Sequence, residues 1–394
     1  MKLLIGKSVF LLSILASPVL AQSVPCGGSF SSFLNGVRTE ALAAGYSQRA
    51  TDDLLKSAEL DPNVLSRDRA QGVFKQTFLE FSQRSISSYR MTNGAKNMDR
   101  YVSVFDRARS EFGVPAEVIA AFWALETDYG AVQGDFNTVN ALATLAHDCR
   151  RPELFRPQLL AAIKMVENGD LDPDTTTGAW AGEIGQVQML PEDILTKGVD
   201  GDGDGHVRLK TSAPDAILTA ASLINALGWA AGEPWLIEVT TTDNTHWAKS
   251  GLRTKLPVSE WEAMGLRARS GNMPSDEVYA SLLAPQGRNG PKFLAFRNFD
   301  VYLKWNQSFI YSTTAAYLAT RLGGAARYDA GTPDQGLDDP QMKQLQTILE
   351  ERGYDVGKVD GILGARTRNA VQAEQIRMGL PADAWPTPEF LARY

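Results

Sequence analysis

The sequence predicts a mainly α-helical protein in which a large helical domain precedes a small one. Apolar residues recur at helical spacing over most of residues 30–322. The following stretch loses this periodicity, which returns over residues 341–394. The chain has 394 residues and a hydrophobic content of 44%, which is enough for one large core and one small core.

The first 21 residues have the pattern of a secretory signal peptide. Lys2 and Lys7 precede an apolar run from Val9 to Leu15, and the stretch after this run ends in a small residue, Ala21, after which we expect cleavage. The run is short for a membrane span, and the residues before Cys26 lack the motif of a lipid-modified cysteine. We therefore expect a soluble periplasmic monomer with no integral membrane segment after cleavage. The formal charge of −7 argues against a nucleic-acid partner.

The chain contains two cysteines, and both lie in the part that we expect to be exported. An oxidising compartment would allow a disulfide between Cys26 and Cys149, and two separate buried thiols are the alternative. His147, His206 and His246 do not have the spacing of a zinc site, so a metallopeptidase is not expected.

The stretch AFWALETDYG predicts a helix that runs from about Pro115 to Gly130. Glu126 falls on the apolar side of this helix and near the negative end of its dipole, and both conditions disfavour an ionised carboxyl. The residues alone allow two interpretations: a general acid, or a glutamate that is paired with Arg150 or Arg151.

Strand signals are few. The stretch EPWLIEVTTT is the best of them and predicts a short β-hairpin. Residues 323–340 carry glycines and prolines without apolar periodicity, which predicts a linker. Residues 341–394 have about the size of a minimal three-helix domain.

The stretch DGDGDGHVRL has the pattern of the first half of an EF-hand calcium loop. Asp200, Asp202 and Asp204 occupy its first, third and fifth positions, and the backbone carbonyl of His206 would follow as a ligand. The twelfth position is Thr211, where the pattern expects a glutamate. We therefore expect a weak calcium site with a structural role, and an unliganded acidic turn is the alternative.

The small domain resembles the peptidoglycan-binding domains of bacterial cell-wall enzymes. The resemblance covers nearly all of residues 341–394, and Ala384 departs from it because a glycine is common there. It implies that the partner is the glycan strands of peptidoglycan, and a helical cap without a ligand is the alternative. The matching stretches are LQTILEERGY, VDGILGARTRNAV and MGLPADAWP.

The large domain, residues 22–322, resembles the lytic murein transglycosylases of the B type, whose catalytic domain is lysozyme-like. The matching stretches are ALETDYGAVQGDFNTVNALATLA, GAWAGEIGQVQMLP, VDGDGDGHVRL and NFDVYLKWNQSFIYSTTAAYLA. The resemblance places Glu126 at the position of the family's single catalytic glutamate, and it implies no cofactor for catalysis.

The resemblance implies chemistry with one carboxyl group. Asp128 lies two residues after Glu126, is therefore aimed away from it, and cannot be the second carboxylate of a glycosidase. By resemblance, Glu126 protonates the oxygen between N-acetylmuramic acid and N-acetylglucosamine and then removes the proton of the muramic C6 hydroxyl, which gives a 1,6-anhydro product. A hydrolysing muramidase and an inactive wall-binding protein remain alternatives.

Four further residues match positions that the family uses around the cleft. The resemblance implies that Gln188 binds sugar, that Asn306 positions an acetamido group, that Tyr311 contacts Glu126 or sugar, and that Trp305 stacks on a pyranose. For the two aromatic residues, ordinary core packing is the alternative.

The resemblance also brings one more candidate ligand and two departures. Asp215 is a candidate oxygen ligand for the calcium site. Ala179 stands where the family often has a serine, and Glu183 stands where a small residue is usual. A cleft-facing Glu183 would raise the pKa of Glu126, whereas a solvent-facing Glu183 would not.

Overall fold

The computed structural model describes residues 26–70 and 76–394, so the predicted signal peptide lies outside the described residues. Within these ranges the chain forms seventeen α-helices and seven short strands, which confirms the mainly α fold class. None of these helices combines the length and the apolar character that a membrane span needs.

The helices of the large domain account for most of its residues. They are α1 (Phe30–Ala43), α2 (Gln48–Ser57), α3 (Pro62–Arg69), α4 (Phe78–Ser85), α5 (Ser88–Arg100), α6 (Val102–Phe112), α7 (Ala116–Thr127), α8 (Thr138–His147), α9 (Pro152–Asn168), α10 (Pro191–Lys197), α11 (Ala213–Ala226), α12 (Val258–Ala263), α13 (Phe299–Trp305) and α14 (Phe309–Leu322). Helix α7 is buried on all sides from residue 118 to residue 124 and packs against α5, α6, α11 and α14. It is therefore the central helix of this domain.

The strands form two antiparallel sheets. They are β1 (Phe136–Asn137), β2 (Thr177–Gly178), β3 (Leu236–Thr240), β4 (Leu256–Pro257), β5 (Arg267–Ala268), β6 (Tyr279–Leu283) and β7 (Phe293–Ala295). Strands β1 and β2 pair with each other, and the other five are ordered β4-β6-β7-β3-β5.

The sheet is larger than the short hairpin that the sequence predicts. Strand β3 forms inside the expected stretch, but it pairs with β5 and β7 from later in the chain. Several of the other strands have only two or three residues, and four consecutive residues of β6 are buried. Such strands do not alternate between apolar and polar residues, which is why the sequence pattern did not reveal them.

The small domain contains α15 (Asp339–Glu351), α16 (Ala365–Arg377) and α17 (Pro388–Leu391) around its own core. The segment before it, residues 323–338, has no helix or strand but lies against the large domain. The ring of Tyr328 contacts Phe78, Phe293 and Tyr317, and Trp385 Nε1 donates to the carbonyl of Asp334 at 3.0 Å. The linker segment is thus packed in place.

A disulfide joins Cys26 to Cys149, with a Cα–Cα distance of 5.3 Å. It connects the residues before α1 to the segment after α8, where the Gly27 amide also donates to the carbonyl of His147 at 2.8 Å. The bond closes a loop with a sequence separation of 123 residues, and a cross-link across so long a loop restricts the unfolded chain strongly.

A buried carboxylate holds the end of the small domain together. The Glu374 side chain is 1% exposed and accepts hydrogen bonds from Arg377, from the Tyr354 hydroxyl at 2.8 Å and from the Tyr394 hydroxyl at 2.9 Å. The hydrogen bonds from Arg377, together with those from the two tyrosines, lower the pKa of Glu374 to about 2.

This lowered pKa makes the stabilising effect of Glu374 dependent on pH. The effect is complete above the ordinary pKa of 4.5 and is lost as the pH falls towards 2, because protonation then removes the charge. At pH 7 we expect Glu374→Gln to reduce the free energy of unfolding by about 3 kcal/mol. The difference between wild type and variant should shrink between pH 4.5 and pH 3, as measured by thermal unfolding with circular dichroism.

Glu350→Gln is the matched control, because Glu350 is exposed in the same domain. It should change the unfolding temperature little at any pH. An equal effect of Glu374→Gln at pH 7 and pH 3 would contradict the assigned role of the charge.

Candidate active site

Glu126 lies in the last turn of α7, one residue before the helix ends at Thr127. The sequence placed the end of this helix near Gly130, but Asp128 and Tyr129 already have left-handed backbone angles, with φ of 51° and 61°. Aspartate tolerates this conformation better than most residues, and it stops the helix here. The Asp128 carboxylate then accepts a hydrogen bond from Arg90 Nε at 2.6 Å.

Two side chains donate to the same oxygen of Glu126. Trp305 Nε1 lies 2.9 Å from Oε1, and the Tyr311 hydroxyl lies 2.5 Å from it. No hydrogen bond from the described part of the chain reaches Oε2. Glu126 therefore has one oxygen held by the protein and one that is available to a ligand.

The interpretation that Glu126 pairs with Arg150 or Arg151 is wrong. Both arginines bind Asp68, which is 1% exposed, and the distance from Arg150 to its carboxylate is 2.5 Å. Their positive charges hold the pKa of Asp68 below its usual range despite its burial. Sequence reasoning missed Asp68 because it lies 82 residues before Arg150 and carries no local motif.

Burial raises the pKa of Glu126, and the hydrogen bonds from Tyr311 and Trp305 oppose this effect in part. Burial also raises the pKa of Tyr311 well above its usual value, so its hydroxyl keeps its proton and remains a donor. The site therefore combines a carboxyl group that retains its proton to higher pH with two donors that stabilise its ionised form.

A short turn between α13 and α14 positions both donors. Trp305 ends α13 and stacks on Phe122 of α7 at 4.3 Å between ring centres. The Asn306 side-chain oxygen accepts from the amide of Ser308 at 2.9 Å, and Ser308 Oγ in turn accepts from the amide of Tyr311 at 3.3 Å as the N-cap of α14. The structure thus brings Trp305 and Tyr311 into contact with Glu126 and places Asn306 in the turn between these two donors.

A glycine-rich loop, residues 178–189, lies beside the end of α7. The Thr127 hydroxyl donates to the carbonyl of Gln186 at 2.5 Å and fixes the loop to the helix. Gln188 has a left-handed φ of 52°, and its amide nitrogen donates to the carbonyls of Gly185 at 2.8 Å and Gln133 at 3.2 Å. Its side-chain oxygen is the part of the amide left for a ligand.

Glu183 lies in the same loop and interacts electrostatically with Glu126. Burial raises the pKa of Glu183, and the negative charge of Glu126 raises it further, while backbone amides oppose the shift in part. The carbonyl of Glu183 accepts from the amide of Ala179 at 2.9 Å. The sequence left the orientation of Glu183 open, and the structure places its carboxyl group within the electrostatic reach of Glu126.

A cavity of about 360 Å³ opens next to Tyr311. Helices α4, α5, α7 and α14 contribute to its walls, which include Phe81, Tyr89, Arg90 and Leu125. Its volume lies in the range of ligand pockets. It adjoins the Glu126 site through Tyr311.

The acidic loop brings three predicted ligands together. Asp200, Asp202 and Asp204 each offer a carboxylate oxygen, and these oxygens lie within 4.8 Å of one another. The Asp200 carboxylate also accepts from the amides of Gly203 at 2.6 Å and Gly205 at 2.8 Å, which gives the loop its curved shape. Such a set of oxygen donors fits a hard cation such as Ca²⁺.

The side chains of the other two predicted ligands have hydrogen-bond partners of their own. The His206 ring bonds to Asp170 at 2.9 Å, so only its backbone carbonyl is a candidate ligand. Asp215 is buried, and its carboxylate accepts from the amides of Gly201 at 2.9 Å and Arg208 at 2.7 Å. Asp215 therefore stabilises the loop through these hydrogen bonds.

Comparisons with known proteins agree with this geometry. The family described as "Transglycosylase SLT domain" matches residues 29–320, and the family described as "Putative peptidoglycan binding domain" matches residues 338–393. Among curated proteins, the membrane-bound lytic murein transglycosylase B of Escherichia coli K12 is 30% identical over 239 residues, which are 60% of this chain and 64% of that protein. The chain thus spans somewhat less than two thirds of the length of that relative.

Solved structures extend the similarity over more of the chain. SltB3 of Pseudomonas aeruginosa, in complex with NAG-anhNAM-pentapeptide, has a TM-score of 0.85 and 35% identity, and the match covers 93% of this chain and 99% of that one. The Escherichia coli lytic transglycosylase Slt35, in complex with calcium, has a TM-score of 0.64 and 25% identity, with 77% and 98% covered. The chain belongs to the lytic transglycosylase family, and its transglycosylase domain is followed by a peptidoglycan-binding domain.

Proposed function

We propose that this protein is a lytic transglycosylase that cleaves the β-1,4 bond between N-acetylmuramic acid and N-acetylglucosamine in peptidoglycan and leaves 1,6-anhydro ends. The observation that carries the proposal is the environment of Glu126, a buried carboxyl group with two donors on one oxygen and a free second oxygen. The SltB3 complex with an anhydro-muropeptide supports the proposed type of product.

In the first step, protonated Glu126 donates its proton to the glycosidic oxygen as the bond to C1 of the muramic ring breaks. The carboxylate that results is stabilised by Tyr311 and Trp305, whose bonds to Oε1 become charge-assisted. In the second step, Glu126 removes the proton of the C6 hydroxyl while the C6 oxygen bonds to C1. The glutamate is then protonated again, and no water is consumed.

Hydrolysis by a muramidase is the second candidate, and Glu183 is the observation that favours it. A hydrolase with two carboxyl groups needs the second one ionised to activate water or to attack C1. Burial and the charge of Glu126 both favour the neutral form of Glu183, and Asp128 is bound to Arg90. These environments support the mechanism with one carboxyl group.

The roles proposed for the remaining cleft residues follow from the side-chain atoms and ring faces that the described protein contacts leave available. We propose that Gln188 accepts a hydrogen bond from sugar through its side-chain oxygen. Asn306 would donate to an acetamido group through its amide nitrogen, since Ser308 occupies its oxygen. Trp305 has Phe122 on one ring face, so a pyranose would stack on the other.

We propose that the acidic loop binds Ca²⁺ with a structural role. The ion would be held by Asp200, Asp202, Asp204 and the carbonyl of His206. Asp215 would stabilise the loop by accepting hydrogen bonds from its backbone amides. The calcium complex of Slt35 supports this assignment. The ion would neutralise the acidic turn and take no part in catalysis.

The remaining proposals concern domains and location. We propose that residues 1–21 are a signal peptide that directs export to the periplasm and that residues 22–322 cut glycan. We propose that residues 341–394 bind peptidoglycan and that residues 323–340 link the two domains. The match to a peptidoglycan-binding family supports the last assignment. We further propose that the protein acts as a monomer.

The reaction is tested by incubating wild type, Glu126→Gln and Glu183→Gln with isolated peptidoglycan and analysing the products by mass spectrometry. Wild type should release anhydro-muropeptides. Glu126→Gln should release none but still bind sacculi, because the amide retains the shape of the side chain and loses the transferable proton. Glu183→Gln should reduce the rate by less than about tenfold and give the same products, because burial favours the neutral form of Glu183 and the amide resembles that form.

Two results would contradict the proposal. Products heavier by one water, together with an inactive Glu183→Gln, would identify a muramidase with two carboxyl groups. An inactive wild type that still binds sacculi would identify a wall-binding protein.

Calcium binding is tested by thermal unfolding with and without Ca²⁺. We expect millimolar Ca²⁺ to raise the unfolding temperature of the wild type by a few degrees, and Asp200→Asn to abolish this rise. Asp243→Asn is the matched control, since Asp243 is an exposed acid in another loop. An equal rise in the wild type and in Asp200→Asn would exclude the acidic loop as the site.

A further inference from the structure

Arg368, on α16 of the peptidoglycan-binding domain, is buried where this domain meets the catalytic domain. It is 9% exposed, and its Nη2 donates to the carbonyl of Pro285 at 2.7 Å. Its guanidinium lies 4.9 Å from the ring centre of Phe309 and 5.9 Å from that of Trp385. A buried guanidinium is stable only with such specific partners, so the contact is a defined one.

Further buried hydrogen bonds fix the two domains to each other. The Gln372 amide nitrogen donates to the carbonyls of Ser250 at 2.9 Å and Trp247 at 3.2 Å. The Asp383 carboxylate accepts from the amide of Arg288 at 3.0 Å. These bonds hold the small domain in one orientation on the large one.

Phe309, the aromatic partner of Arg368, is the first residue of α14, and Tyr311 follows two residues later. Ile310, between them, lines a cavity together with Leu363 and Trp385 of the small domain. The peptidoglycan-binding domain therefore covers the start of the helix from which Tyr311 donates to Glu126.

We propose that Arg368 is a positioning residue for the transglycosylase reaction, because it holds Phe309 and thereby keeps Tyr311 within hydrogen-bond distance of Glu126. The proposal rests on the function proposed above. It makes the peptidoglycan-binding domain a structural part of the active site in addition to its role in binding the wall.

The physical basis is the weakness of a first helical turn. The first residues of α14 have few hydrogen bonds within the helix. Ser308 caps the amide of Tyr311, and contacts from outside the helix contribute to the position of the rest of this turn. Displacement of a positioned group by about 1 Å can reduce a rate by up to about 100-fold. Arg368 stays charged at neutral pH, since burial lowers its pKa only to about 10 and Asp383 opposes the shift.

The test measures kcat, KM and the pH profile of Arg368→Met with soluble glycan fragments. We expect kcat to fall roughly tenfold with little change in KM. The loss of activity at high pH should move to higher pH, because the Glu126 carboxylate loses a donor that lowers its pKa. Glu183, Arg90 and Asp128 are the other titratable groups that interact with Glu126 or Tyr311 or lie beside them, and the substitution leaves them in place.

Two comparisons separate positioning from general destabilisation. Tyr311→Phe should move the pH profile in the same direction, and Arg368→Met added to Tyr311→Phe should cause no further change, because both act through one hydrogen bond. Arg366→Met is the matched control, since Arg366 is an exposed arginine on the same helix. It should leave kcat and the pH profile unchanged.

Additive effects in the double variant, or a folded Arg368→Met with the kcat and pH profile of the wild type, would overturn the proposal. If Arg368→Met does not fold, Phe309→Leu is tested in its place, because it removes the aromatic ring that Arg368 contacts. The same criteria apply to it. Arg368→Lys should restore part of the activity, because it keeps the charge over the ring. A wild type without anhydro products would instead refute the proposed function.

Discussion

The rest of the active site is arranged around one constraint, which is a carboxyl group at the buried end of an apolar helix. Helix α7 is enclosed by other helices, and Glu126 lies in its last turn, where the helix dipole also disfavours a negative charge. The two donors to its oxygen come from residues 179 and 185 positions later in the chain. The fold brings α13 and α14 against α7, and their two donors then offset part of the cost of ionising this buried carboxyl group.

The two donors also distinguish Glu126 from the neighbouring carboxyl group of Glu183. Glu126 and Glu183 are both buried, and both therefore hold their protons to higher pH. Glu126 has two side-chain donors that favour its charged form, whereas the charge of Glu126 itself disfavours a charge on Glu183. The environment of Glu126 therefore fits the proposed role of acid and then base, because its side-chain donors stabilise the charged form that this role requires.

The sequence could predict the elements of the site but not all of its contacts. Helical periodicity was sufficient to place Glu126 on a buried helix, and the family resemblance led to Tyr311. The hydrogen bond from Trp305 to Glu126 was missed, because the spacing of an aromatic residue indicates a buried face and not the partner of its ring nitrogen. Asp68 and Arg368 were missed because their partners lie far away along the chain.

The fixed orientation of the two domains changes what wall binding can do. A domain on a flexible linker only raises the local concentration of substrate. Here the segment with Tyr328 is packed onto the large domain, and Gln372 and Arg368 donate across the contact between the domains. Under the proposed function, a glycan strand bound to both domains would therefore be held at a constant distance from Glu126. Binding to the wall would then contribute to the position of the cut as well as to its frequency.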